Sequence, residues 1–377
     1  MALGRLRTHK RKHALKVATR VVLLAGALAG AAILTLRTVQ SMGGGADSAT
    51  YRGVSLAGAE FGSQVPGFGA SAPGVFGVDY TYCTPETMRY FAQLGVTHFR
   101  LPVRWERLQS VPGGDLNNVE LGRVLETLDS ASLHGCRVVL DLHNYGRYCR
   151  GESRYPSGRI VGVPATDGLG ITQEHLADLW CRLSDRLRDH QAIEAFALMN
   201  EPHDMGRADW RKISQHVVDA LRFRGDRTTL WISGDGWSHA HDWQRNNGSR
   251  AWIVDPFDNV VYEAHCYFDH DFSGTYQLPF AEELLRDDAV LDRGISRVAP
   301  FLDWCRRNGV RGVIGECGIP RDEPRWLPVL ASLLRGAATR KTPVYYWAAG
   351  EWWGDNPLSV QPKDGEQAAP LRVLLER

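Results

Sequence analysis

Two glutamates close apolar, β-prone runs in this sequence. Glu201 follows Phe196-Ala197-Leu198-Met199-Asn200 and precedes Pro202, and Glu316 ends the run "RGVIGE" at 311–316. Carboxyls at the ends of two facing strands can divide one reaction between them. One protonates a leaving oxygen while the other attacks the carbon, as in glycoside hydrolysis. Pro202 disfavours the helical region for the residue before it and is expected to keep Glu201 extended. Asn200 can hydrogen-bond a sugar hydroxyl. Other apolar runs also end on polar or aromatic residues: Arg100, then His143 and Asn144 in "DLHNY", His265 and Tyr267 in "HCYFD", and Trp347. Packing alone does not require polar groups at so many strand ends. Arg100 and Tyr267 are expected to donate to Glu316 and hold it ionised as the nucleophile. Glu201, near that charge, is expected to have a raised pKa and stay protonated as the acid.

The elements that must position these residues form one repeating pattern. Candidate strands lie at 52–57, 97–101, 137–142, 194–199, 229–233, 259–264, 311–315 and 343–347. Thr84-Pro85-Glu86 places a cap, a first-turn proline and an early acid before a helix that stops at Gly95. Apolar spacings of three and four mark further helices at 118–134, 172–190, 208–224, 295–309 and 325–338. Eight strands alternating with helices predict an α/β fold, a (β/α)8 TIM barrel, whose active site lies at the C-terminal strand ends. The competing doubly wound sheet would carry a Gly-rich phosphate turn after its first strand, and "AGAEFGS" is not GxGxxG.

The motifs "FRLPVRWERLQ", "DLHNY", "MNEPHD", "HCYFD", "GECG" and "YYWAAGEWWGD" resemble, in order, the strand-end motifs of glycoside hydrolase family 5, formerly cellulase family A. "RGVSLAGAEFG" and "GWSHAHDW…IVDP" resemble its bacterial endo-β-1,4-glucanases, and the likeness runs over residues 52–358. The resemblance implies retaining, endo-acting cleavage of β-1,4-glucan with Glu201 as acid/base and Glu316 as nucleophile. Supporting roles fall to Arg100, His143, Asn200, His265, Tyr267 and Trp347, with no metal or organic cofactor. Mannan, xyloglucan, xylan, β-1,3-glucan or a bacterial exopolysaccharide are the alternative substrates. Trp347 suits stacking on the sugar before the cleaved bond, and Trp105, Trp237, Trp352 and Trp353 offer either further sugar contacts or packing. Cys317 departs from the apolar residue expected after the nucleophile.

A different chemistry is suggested by His239-Ala240-His241, an HxH triplet that a metal-dependent hydrolase could use with His143 and His265. It leaves the paired glutamates unexplained. A catalytically dead glucan-binding barrel would need a blocked cleft, because both glutamates are present.

Charge separates the chain into parts. Residues 1–46 hold eight Lys/Arg and no acid, which leaves 36 basic and 43 acidic residues for 47–377, a net of −7. The acidic body argues against nucleic-acid binding. Residues 1–20 read as a basic cytoplasmic-side segment, 21–37 as a signal-peptide core or membrane anchor, 38–50 as a linker and 51–377 as the catalytic domain. The expected product is an exported monomer whose partners are a β-glucan and, if the anchor is uncleaved, the membrane. The seven cysteines show no CxxC spacing. Strand alternation turns Cys266 and Cys317 towards the helix layer, as a disulfide or as two buried thiols.

Overall fold

The computed structural model describes residues 51–151 and 158–376. The readings made for 1–20, 21–37 and 38–50 lie outside the described residues. Eight parallel strands close into a barrel: β1 (Arg52–Leu56), β2 (His98–Val103), β3 (Arg137–Leu142), β4 (Ile193–Ala197), β5 (Thr229–Ser233), β6 (Val260–His265), β7 (Arg311–Glu316) and β8 (Val344–Ala349). Each pairs with its neighbours in sequence, and β8 closes on β1. All eight expected strands form, within two residues of the boundaries read from the sequence.

Helices α1 (Pro85–Gln93), α2 (Asn118–Leu133), α3 (Gln173–Leu187), α4 (Trp210–Phe223), α5 (Trp243–Asn247), α6 (Arg293–Asn308), α7 (Leu327–Ala338) and α8 (Ala369–Leu375) surround it. The α1 cap works as its sequence implies, with the Thr84 hydroxyl accepting from Thr87 N at 3.2 Å. The α2 cap is Asn117, whose side chain accepts from Val119 N and Glu120 N.

The barrel interior is layered by the two-residue period of its strands. Val139, Ala195, Ala197, Trp231, Val261, Val313 and Tyr345 pack as one apolar cluster inside the barrel. Two residues further along β3, β5 and β6 come Asp141, Ser233 and Glu263, all fully buried. Two further on, His143 and His265 reach the rim. On β7 this alternation breaks. Glu263 pairs with Val313 and Ala264 with Ile314, but His265 pairs with Glu316, so Gly315 is skipped in the register. A Cβ at Gly315 would lie 2.0 Å from Glu263 Oε1. Glycine therefore leaves room for the buried carboxylate, and the irregularity turns Glu316 inward.

Candidate active site

The charged layer is organised by Arg100, which is fully buried on β2. Its guanidinium donates to Glu316 Oε1 at 2.8 Å and to Asn200 Oδ1 at 2.6 Å. It also lies 3.1 Å from Asp141 Oδ2 and 3.2 Å from Glu263 Oε1. Burial alone would lower the Arg100 pKa, but the surrounding carboxylates raise it overall, so the cation is permanent. Tyr267 donates its hydroxyl to Glu316 Oε2 at 2.8 Å. Glu316 thus receives one donor on each oxygen.

Across the rim, Glu201 Oε1 meets His265 Nδ1 at 2.6 Å, and the same nitrogen is 3.5 Å from Glu316 Oε2. One carboxylate oxygen of Glu201 and one of Glu316 lie within 4.8 Å of each other, with His265 between them. An oxygen–oxygen approach this close fits the short carboxyl separation of double-displacement glycosidases, roughly 5–5.5 Å, better than the roughly 6.5–9.5 Å that leaves room for an inverting water.

Two expectations about Glu201 need correction. It is not extended: its φ is +43°, in the left-handed region. Pro202 bars the right-handed helical region, and the chain takes the rarer left-handed alternative, a strained conformation of the sort found at functional sites. Nor is its pKa raised. Burial pushes it up, but the charge and hydrogen bond of His265 outweigh burial and hold the carboxyl below its usual value. His265 itself is pushed up to about 10: burial opposes this, and Glu316 and Glu201 overcome it. The free site therefore keeps its proton on His265. Glu316 is raised, chiefly by burial, with His265 and Arg100 pulling it back and Glu201 adding to the rise.

His143 has burial as its main influence and a pKa lowered to about 3, so it is neutral. Its Nδ1 lies 2.8 Å from Asp141 Oδ2, and Nε2 is 3.0 Å from the Tyr145 hydroxyl and 3.4 Å from Asn200 Nδ2. Its ring stacks on Trp347 at 5.2 Å, nearly parallel.

These groups border a cavity of about 420 Å³ reached by Glu201, Glu316, His143, Tyr267, Trp347 and Trp237. Arg100, Asn200 and His265 lie beneath it, fully or almost fully buried. Asn144 stands apart. Its amide donates to both Glu106 oxygens and its Oδ1 accepts from Trp105 N, so it is consumed in fixing the β2 and β3 loops. Trp353 meets Trp347 edge-on at 5.9 Å but does not border the cavity, while Trp105 is fully buried and Trp352 is exposed outside it.

Sequence reading missed Asp141, Glu263, Tyr145 and the cleft residues Asp271–Ser273, and offered His239 only as a metal ligand. The first two carried a signal, each lying two residues before a rim histidine in "DLH" and "EAH". The HxH triplet is split, since His239 borders the cavity and His241 packs against Phe272 at 4.3 Å. Among the described residues, the grouping close enough to share an ion is Glu201, His265 and Glu316, which includes neither histidine of the triplet. Cys266 and Cys317 are buried free thiols, so the disulfide alternative does not hold.

A parallel barrel that opposes two glutamates at this spacing, one with an arginine and a tyrosine and the other with a histidine, has the site of a glycosidase. The family Cellulase (glycosyl hydrolase family 5) matches residues 54–351, and the chain belongs to it. It is 29% identical to endo-beta-1,4-glucanase B of Emericella nidulans, over 87% of this chain and 90% of that protein. Its structure resembles Pseudomonas stutzeri endoglucanase Cel5A in complex with cellobiose, with TM-score 0.76 and 33% identity, over 86% and 91% of the two chains. It also resembles an endo-beta-1,4-glucanase from Xanthomonas axonopodis pv. citri, with TM-score 0.74 and 30% identity, over 86% and 97%. These two solved relatives are bacterial, as the motifs suggested, whereas this curated relative is fungal.

Proposed function

We propose that the protein is a retaining endo-β-1,4-glucanase in which Glu316 is the nucleophile and Glu201 the acid/base. The observation that carries this is the approach of one oxygen of each carboxyl to within 4.8 Å, with Arg100 and Tyr267 donating to Glu316 and not to Glu201. In the first step Glu316 attacks the anomeric carbon as the bond to the leaving oxygen breaks, and that oxygen takes a proton from Glu201. The Glu201–His265 pair holds this proton at a 2.6 Å contact, so a shift along one hydrogen bond arms the acid. In the second step Glu201 takes a proton from water, whose oxygen bonds to the anomeric carbon and releases Glu316. Trp347, backed by His143, supplies the apolar face for the sugar before the cleaved bond.

An endo-acting enzyme cuts inside long chains. Soluble carboxymethyl-cellulose is therefore expected to lose viscosity before reducing ends accumulate. Reducing ends that lead the viscosity loss, or activity on mannan alone, would contradict the reading. The apolar run at 21–36 and its basic flanks support export, with the catalytic domain outside the cell.

A further inference from the structure

The loop after β6 sends a short finger, residues 269–276, into the cleft, where Asp271, Phe272 and Ser273 border the cavity. None of these residues takes part in the chemistry above, yet the finger is built to hold one shape. Asp269, fully buried, accepts from Gly274 N, Tyr276 N and the Ser273 hydroxyl, each at 3.0 Å. Arg297 from α6 donates to the carbonyls of Tyr267 and Asp269 at 2.6 and 2.7 Å. The same guanidinium lies 4.0 Å over the Phe272 ring, whose backbone has φ +65°. His241 abuts that ring at 85°, and what remains of it faces the cavity. A surface loop with no task does not need a buried carboxylate, a cation over its aromatic ring and a left-handed phenylalanine.

The place of the finger says what it serves. A Cβ at Gly274 would lie 2.7 Å from the ring of Tyr267, so the finger packs on the residue that holds Glu316. Trp237, 37% exposed, has one indole face laid on His203 at 3.4 Å, and its backbone N donates to the carbonyl of Pro202, next to Glu201. The acid must sit beside the leaving oxygen, and Trp347 is carried by β8, which β7 separates from the β5 and β6 loops. The portion of glucan that departs therefore runs over the β5 and β6 loops.

We propose that Phe272 forms a wall of the subsite for the first sugar of the leaving portion, beside Trp237, which the sequence already offered as a sugar contact. Asp269 and Arg297 are positioning residues that hold Phe272 in place. This rests on the glucanase reading and adds that the finger governs affinity for the leaving chain and not the chemistry at the bond.

The test compares two substrates on the full chain. Cellopentaose places sugars on the leaving side, whereas β-cellobiosyl fluoride releases only a fluoride ion and places none there. Phe272→Ala and Phe272→Leu are expected to lower kcat/KM for cellopentaose by about tenfold, the scale of one lost ring contact, while changing the fluoride by less than about twofold. Phe272→Tyr should restore the cellopentaose value. Equal losses on both substrates in both variants, or undiminished cellopentaose cleavage, would overturn the proposal. A wild-type chain inactive on both substrates would instead sink the glucanase reading, and the subsite with it.

Discussion

Buried carboxylates in this protein meet different fates according to their partners. Around Arg100, Glu316, Asp141 and Glu263 share one guanidinium, and removing a partner from such a buried set generally costs about 3–5 kcal/mol. Among the described residues, Glu60, in the loop after β1, has no such cation in contact. Its Oε2 accepts from Gly58 N at 2.8 Å and its Oε1 is buried without a partner. Burial pushes its pKa up to about 8. A carboxyl raised on folding binds more protons in the native state than in the unfolded one, so stability falls as pH climbs from its ordinary value through 8. Glu60→Gln, which mimics the neutral acid, should match the wild-type Tm near pH 4. At pH 9 it should exceed it by on the order of 2–4 °C, and a lower Tm at pH 9 would refute this account of Glu60. At the same scale, Glu201, Glu316, Arg100 and Tyr267 were legible because each lies in or just past a strand, within a recognisable motif. The left-handed φ of Glu201 and its contact with His265 were not, since both depend on how residues 198–201, just past β4, lie against the end of β6.

The strands could be read because their apolar runs and turn signals recur regularly, and helix boundaries followed from caps such as Thr84. What escaped were departures from periodicity. The skipped register at Gly315 has no pattern of its own in sequence and becomes intelligible only when Glu263 is seen to fill the space. The 269–276 finger was equally silent, because its order comes from Asp269 and from Arg297 on a later helix. Asn144 was misjudged for the same reason. A polar residue at a strand end looks the same in sequence whether it faces the cleft or, as here, Glu106.

At the scale of the whole molecule, an acidic body joined to a basic, apolar N-terminal stretch suits work outside the cell. Among the described residues no helix is long and apolar enough to cross a membrane, so anchoring rests on residues 21–37 alone. If that run is an uncleaved anchor, the full-length protein should sediment with membranes and residues 51–377 should be open to protease from outside. A soluble mature form beginning between residues 30 and 45 would show cleavage instead.

The barrel as a whole brings strands β4 and β7 into opposition, and the central claim is that their two glutamates divide a double displacement. Azide reads that division directly. With Glu316→Gly, the space left by the nucleophile should let azide attack an activated β-glycoside once, giving the α-glycosyl azide. With Glu201→Ala, substrates with poor leaving groups should slow far more than activated aryl glycosides, and azide should intercept the covalent intermediate to give the β-azide. The opposite pairing, β-azide from Glu316→Gly and α-azide from Glu201→Ala, would reverse the assigned roles. Full activity in both variants would contradict the mechanism itself.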